Sequence, residues 1–136
     1  MPSTTRQEDN TVNAALNYGY SVMRSSVAGS LVSYGFLPAI GIHHKSELNA
    51  FNLADDFMEV LRPLVDLWTA LNITEGETFG IKDRAALVSL LNTSMTVDFA
   101  KQSVSRAIDI MSASFSTATT SGDPEKLKLP ELIPLQ

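Results

Sequence analysis

The chain has 136 residues, and at roughly 150 residues per domain that allows one compact domain. Apolar residues make up 44% and charged residues 18%, which excludes a disordered chain of the polar, highly charged kind. The absence of cysteine excludes a disulfide framework, a thiolate zinc site and a cysteine nucleophile. The net charge is −5, with three basic and six acidic side chains in residues 1–60 and seven and nine in residues 61–136. Neither half carries the basic excess that marks a nucleic-acid binder.

The N-terminus, MPSTTRQEDN, lacks the basic-then-apolar pattern of a signal peptide, and residues 1–10 are read as a lead-in. Thr11 to Tyr34 reads as a long helix. Asp9 or Asn10 is placed to cap it, and Val12, Leu16, Val27 and Leu31 recur near whole helical turns. Gly19 sits mid-helix at a cost of about 1 kcal/mol relative to alanine, which implies that something approaches the backbone there. The run from Leu31 to Ile42 is nearly apolar, but it is twelve residues long and contains Ser33, Gly35, Pro38 and Gly41. It is too short and too interrupted to span a bilayer. A cytoplasmic protein with no membrane partner is expected.

Gly35, Pro38 and Gly41 punctuate a connection that carries Ile42, His43, His44 and Lys45. A second helical pattern follows, with Leu48, Phe51, Ala54, Phe57, Met58, Leu61, Leu64, Val65 and Trp68 on one face. Pro63 kinks it or starts a fresh turn. Asn72 to Lys82 reads as a loop, Asp83 to Leu91 as a short helix, and Thr96 to about Thr117 as a longer one, with Val97, Val104, Ile108, Met111 and Phe115 on one face. Trp68 and the methionines at 58, 95 and 111 read as core. From Ser121 on, three prolines and the ending LPELIPLQ predict an extended tail, packed through its leucines. No run alternates long enough to demand a sheet, so the expected class is all-α, with a helical domain over residues 11–120 and a tail over 121–136.

The second helix carries Asn52, Asp55, Asp56, Glu59, Arg62 and Asp66 on its polar face. Spacings of three and four set Asp55, Asp56 and Glu59 side by side, where like charges destabilise a bare helix by a few tenths of a kcal/mol each. Arg62 offers partial relief. Such a face is commonly a solvated surface laced with i,i+4 pairs. Here, however, the preceding loop delivers two histidines beside it, and a histidine with nearby carboxylates is a ligand set suited to Mg²⁺ or Mn²⁺. From these residues alone, a structural and a ligating role both stand.

Three blocks carry a family resemblance: Asn13 to Arg24 (NAALNYGYSVMR), Pro38 to His44 (PAIGIHH) and Asn49 to Asp66 (NAFNLADDFMEVLRPLVD). In order and spacing they resemble the C-terminal helical domain of the CRISPR spacer-acquisition integrase. That family is a metal-dependent DNA endonuclease and integrase that inserts new spacers into CRISPR arrays. The variant is most similar to those of the single-effector, DNA-targeting (type II) systems.

The resemblance implies a site made by one glutamate, one histidine and one further acid. The histidine maps onto His44, and the last acid, in a D-x-x-E motif, maps onto Glu59, with Asp56 as a neighbouring or alternative ligand. His44 and Glu59 are then the expected catalytic residues, and Mg²⁺ or Mn²⁺ the expected cofactor. The first glutamate falls on an earlier helix, upstream of the NAALNYGY block, and nothing in MPSTTRQEDN resembles it. The family's N-terminal β-rich domain has no counterpart here either, so the sequence reads as a piece of a longer protein.

Tyr18 matches an aromatic position at the edge of the family's active site, or is a core tyrosine. Lys45 and Arg62 meet DNA phosphate, or are surface charges. His43 reads as a supporting residue rather than a ligand. Implied partners are double-stranded prespacer and CRISPR-array DNA, a small dimeric adaptation protein, and a second copy in the full-length homodimer of a bacterial cytoplasm. The isolated chain is expected to lack activity. Alternatives are a folded interaction or scaffold module without catalysis, and a small helical metallohydrolase that does not act on DNA.

Overall fold

The computed structural model describes residues 2–35 and 57–133, and side chains from residue 10 onward within them. His43, His44, Lys45, Asp55, Asp56 and the expected first half of the second helix lie outside the described residues. Four α-helices are described: α1 (Pro2–Ser33), α2 (Arg62–Asn72), α3 (Ile81–Ser89) and α4 (Val104–Ser121). They are joined by a three-stranded sheet of β1 (Ser94–Val97), β2 (Ala100–Ser103) and β3 (Glu131–Leu132). No described helix is long and apolar enough to cross a membrane.

Helix α1 is the central element and packs against α2, α3 and α4. Its buried stripe is Ala15, Gly19, Met23, Val27 and Leu31, a repeat of four that keeps one face inward. Val12 and Leu16 sit at the margin of that face rather than on it. The helix starts at Pro2, not after Asp9 or Asn10, so those residues do not cap it; a proline is well suited to a first helical position. The helix stops at Gly35, whose φ of +86° takes the chain into the left-handed region that favours glycine.

The expected interruption at Pro63 is present. Phe57 and Met58 are helical, Glu59 to Leu61 form a turn, and α2 starts afresh with Pro63 in its first turn. A proline ring clashes with the carbonyl four residues back and supplies no N–H, and four residues back from Pro63 is Glu59. Phe57, Met58, Leu61 and Val65 are buried on the inner side, as the apolar pattern predicts, with Leu64 and Trp68 at its edge. The Phe57 and Phe115 rings meet edge to face at 5.5 Å.

The expected loop ends at Gly80, whose N–H donates to the Asp83 carboxylate at 3.0 Å at the start of α3. A short 3₁₀ turn, Leu90–Asn92, follows α3. The expectation of one helix from Thr96 to Thr117 is wrong over its first turns. Residues 94–97 and 100–103 form an antiparallel hairpin with Val97 opposite Ala100. Met95 and Val97 face the core, at 0% and 1% exposure, while Ser94 and Thr96 are only half-buried, the alternation of a strand with one buried face.

Ser103 then caps α4, its hydroxyl accepting from the Arg106 N–H at 3.1 Å. The helix ends at Gly122, with φ +71°. In the tail β3 adds to the other edge of β1, pairing Leu132 with Met95. The protein is therefore mostly helical rather than all-α. Leu127 and Leu132 pack on the core as expected, whereas Leu129 stays 46% exposed. Met58, Met95 and Met111 are buried as read, and Trp68 partly so.

Candidate functional site

The turn forced by Pro63 presents Glu59 outward, its side chain 70% exposed. Its Oε1 accepts from the Arg62 Nε at 3.1 Å. The relief expected from Arg62 is thus realised as an ion pair. Exposed pairs of this kind contribute little to stability; the consequence here is orientation. The Arg62 guanidinium lies 5.1 Å from the centre of the Tyr20 ring on α1, a cation–π contact. The Tyr20 hydroxyl donates to Asp66 Oδ1. One turn of α2, from Arg62 to Asp66, therefore brackets a tyrosine of α1 and fixes the cation that holds Glu59.

Burial raises the Tyr20 hydroxyl above its ordinary pKa of 10.0, and the hydrogen bond to Asp66 and that residue's negative charge add to the rise. Arg62 opposes both. Tyr20 and Asp66 make a pairing across the fold that sequence reasoning missed. Asp66 was visible on the polar face, but no local signal joins residues 46 positions apart.

Tyr18, two residues away, points to a different neighbourhood. Its ring meets Phe79 edge to face at 5.8 Å and packs against the core. Arg84 lies 5.7 Å from the centre of the Phe79 ring. Among the described residues no three His, Asp or Glu side chains gather closely enough to hold an ion. Glu59 is the one expected ligand that is described; His44 and Asp56 lie outside, as does Lys45. A solvent-facing carboxylate with a single cation on one oxygen is the hard oxygen donor that Mg²⁺ and Mn²⁺ accept, so the residue present fits such a group.

The comparisons with known proteins agree with the sequence blocks. The sequence matches the family described as CRISPR associated protein Cas1 over residues 3–96, and the chain belongs to that family. It is 46% identical over 137 aligned positions, covering 97% of this chain and 44% of the relative, to a protein of Neisseria meningitidis serogroup C (strain 8013) named CRISPR-associated endonuclease Cas1. A Pyrobaculum aerophilum protein named CRISPR-associated endonuclease Cas1 2 is 35% identical over 66 positions, covering 48% of this chain and 22% of the relative. One from Saccharolobus solfataricus, named CRISPR-associated endonuclease Cas1 1, is 44% identical over 55 positions, covering 40% and 16%. The chain spans less than half the length of these relatives. No solved structure matches it.

Proposed function

We propose that the chain is the catalytic helical part of a metal-dependent DNA endonuclease and integrase that inserts spacers into CRISPR arrays. The observation that carries the reading is the 46% identity, over nearly the whole chain, to a relative named as an endonuclease. His44, Glu59 and Asp56 would hold Mg²⁺ or Mn²⁺, which when bound polarises a phosphoryl oxygen and orients the attacking one. Arg62 keeps the Glu59 carboxylate on the outer side of the turn, and Tyr20 and Asp66 keep Arg62 in place. DNA attack by a 3′-hydroxyl on a phosphodiester is the proposed reaction. Prespacer and array DNA, a small adaptation protein and a second copy are the proposed partners.

The test is made in a full-length protein carrying this sequence. His44→Ala and Glu59→Ala are each expected to lower integration by at least ~10²-fold, since loose positioning of an attacking oxygen alone costs about that much. Each should also weaken Mn²⁺ binding, with an unchanged circular dichroism spectrum. Substantial Mn²⁺-dependent activity in either variant removes that residue from the set. For the 136-residue chain alone the proposed outcome is no appreciable cleavage, because of the family's three ligand positions only those of His44 and Glu59 are matched in it. Metal-dependent cutting that disappears in His44→Ala would overturn that.

A further inference from the structure

Arg62 stands between two carboxylates: Glu59, three residues before it in the turn, and Asp66, four residues after it on α2. Both spacings bring side chains within reach of one another, yet only one of the two is paired with the guanidinium. Glu59 Oε1 accepts from the Arg62 Nε at 3.1 Å. Asp66 accepts the Tyr20 hydroxyl on Oδ1 and has no ion pair among the described residues. The Tyr20 ring joins the two, with its face 5.1 Å from the guanidinium carbon and its hydroxyl on the unpaired carboxylate. One cation therefore has two anions to choose from and an aromatic surface between them.

The existing pair is the weaker commitment. Glu59 and Arg62 are 70% and 45% exposed, and an exposed pair is worth a factor of about five at most in an equilibrium constant. A divalent ion placed on the Glu59 carboxylate would repel the guanidinium beside it. The Tyr20 face attracts a cation whichever carboxylate is its partner. Leaving Glu59 therefore costs Arg62 little, because the ring holds it and Asp66 stands ready to receive its charge.

We propose that Arg62 is a displaceable counter-ion. It pairs with Glu59 while no divalent ion is bound and swings to Asp66, over the Tyr20 ring, when Glu59 takes Mg²⁺ or Mn²⁺. Arg62 and Asp66 are then positioning residues that act through Glu59, and neither touches the ion. The pair keeps an exposed carboxylate oriented in the metal-free protein, and its low strength lets the ion displace it. The inference rests on the proposed reading only for Glu59 as a ligand.

The test is Mn²⁺ titration of a full-length protein carrying this sequence, with free ion followed by electron paramagnetic resonance and no DNA present. Glu59→Gln should weaken binding. Arg62→Gln should tighten it, by about fivefold at most, since the ion no longer has a pair to displace. Asp66→Asn should weaken it by a similar factor in the native background, because the released guanidinium loses its second partner. In the Arg62→Gln background the same substitution should have clearly less effect, the coupling expected of side chains that share a partner. A merely structural part for Asp66 would weaken binding equally in both backgrounds. A second measurement needs no change at Arg62 or Asp66: in ¹H–¹⁵N spectra, saturating Mg²⁺ should shift the Arg62 Nε–H resonance, and Glu59→Gln should abolish that shift. Unchanged or weaker Mn²⁺ binding in Arg62→Gln, additive effects of the two substitutions, or an unmoved Arg62 resonance overturns the exchange and leaves Glu59 a ligand. Unchanged Mn²⁺ binding in Glu59→Gln removes Glu59 from the metal set, and the exchange with it.

Discussion

Gly19 in α1 and the Asp98–Phe99 turn of the hairpin pose opposite problems with the same residue type. At Gly19 the backbone is ordinary helix, and what requires glycine is space. A Cβ there would stand 2.5 Å from Val65 Cγ1 and 3.2 Å from Leu87 Cδ2. At the hairpin tip space is free, and what calls for glycine is the backbone. Asp98 and Phe99 have φ of +54° and +65°, the pattern of a two-residue type I′ turn, for which Asn-Gly or Asp-Gly is the usual solution. The chain uses glycine where neighbours demand it and omits it where the dihedral would reward it. Three helices meet at the first place, whereas at the second Phe99 is fully exposed.

The sharpest way to break the contrast is Gly19→Ala. Val65 is fully buried, and its β-branched side chain has little rotamer freedom with which to yield. Overpacking of this kind costs about 1–3 kcal/mol. Alanine returns about 1 kcal/mol in helix propensity, so a net loss of up to about 2 kcal/mol is expected in urea unfolding. The same substitution made with Val65→Ala should cost clearly less, because residues in contact couple. Equal or greater stability of Gly19→Ala alone would mean that the crossing is not tight.

The complementary substitution is Phe99→Gly, with the opposite sign. A left-handed residue other than glycine costs about 1–2 kcal/mol, while glycine adds back conformational entropy in the unfolded chain. The expected gain is about 0.5–1 kcal/mol, read as a higher urea midpoint at unchanged slope. A loss of stability would show that the exposed ring makes contacts that matter to the fold.

The two places also differ in how they appear in the sequence. A glycine inside a strong helical pattern announces a close approach, and Gly19 was readable in that way, as were the break at Pro63 and the buried methionines. The hairpin was hidden because Asp98–Phe99 carries only half of the usual turn chemistry, with phenylalanine standing where glycine is the signal. Val97, Val104 and Ile108 also fall at spacings that mimic a helix face. The available signal was Ser103, an N-cap residue directly before the true start of α4. Around the candidate site, the Glu59–Arg62 pair followed from local spacing. The Tyr20–Asp66 bond did not, because only the packing of α2 on α1 creates it.

Tyr20 gives the smallest effect and sits where the tight crossing opens to solvent, next to Gly19 in sequence but at the rim of the packing. Tyr20→Phe keeps the ring under Arg62 and removes the hydroxyl bonded to Asp66. For an exposed hydrogen bond a loss of about 0.5 kcal/mol near neutral pH is expected. Its pH dependence has a fixed sign. Burial, then Asp66, raise the hydroxyl pKa in the folded state above 10.0, so the unfolded chain gives up this proton first. The stabilisation is fully present below the unfolded value and is lost as pH rises through the folded one. The stability difference between the native chain and Tyr20→Phe should therefore shrink as pH climbs past 10.0, followed by urea unfolding at stepped alkaline pH. A difference that stays constant or widens over that range would show that the hydroxyl is not held in its neutral form by Asp66 and its burial.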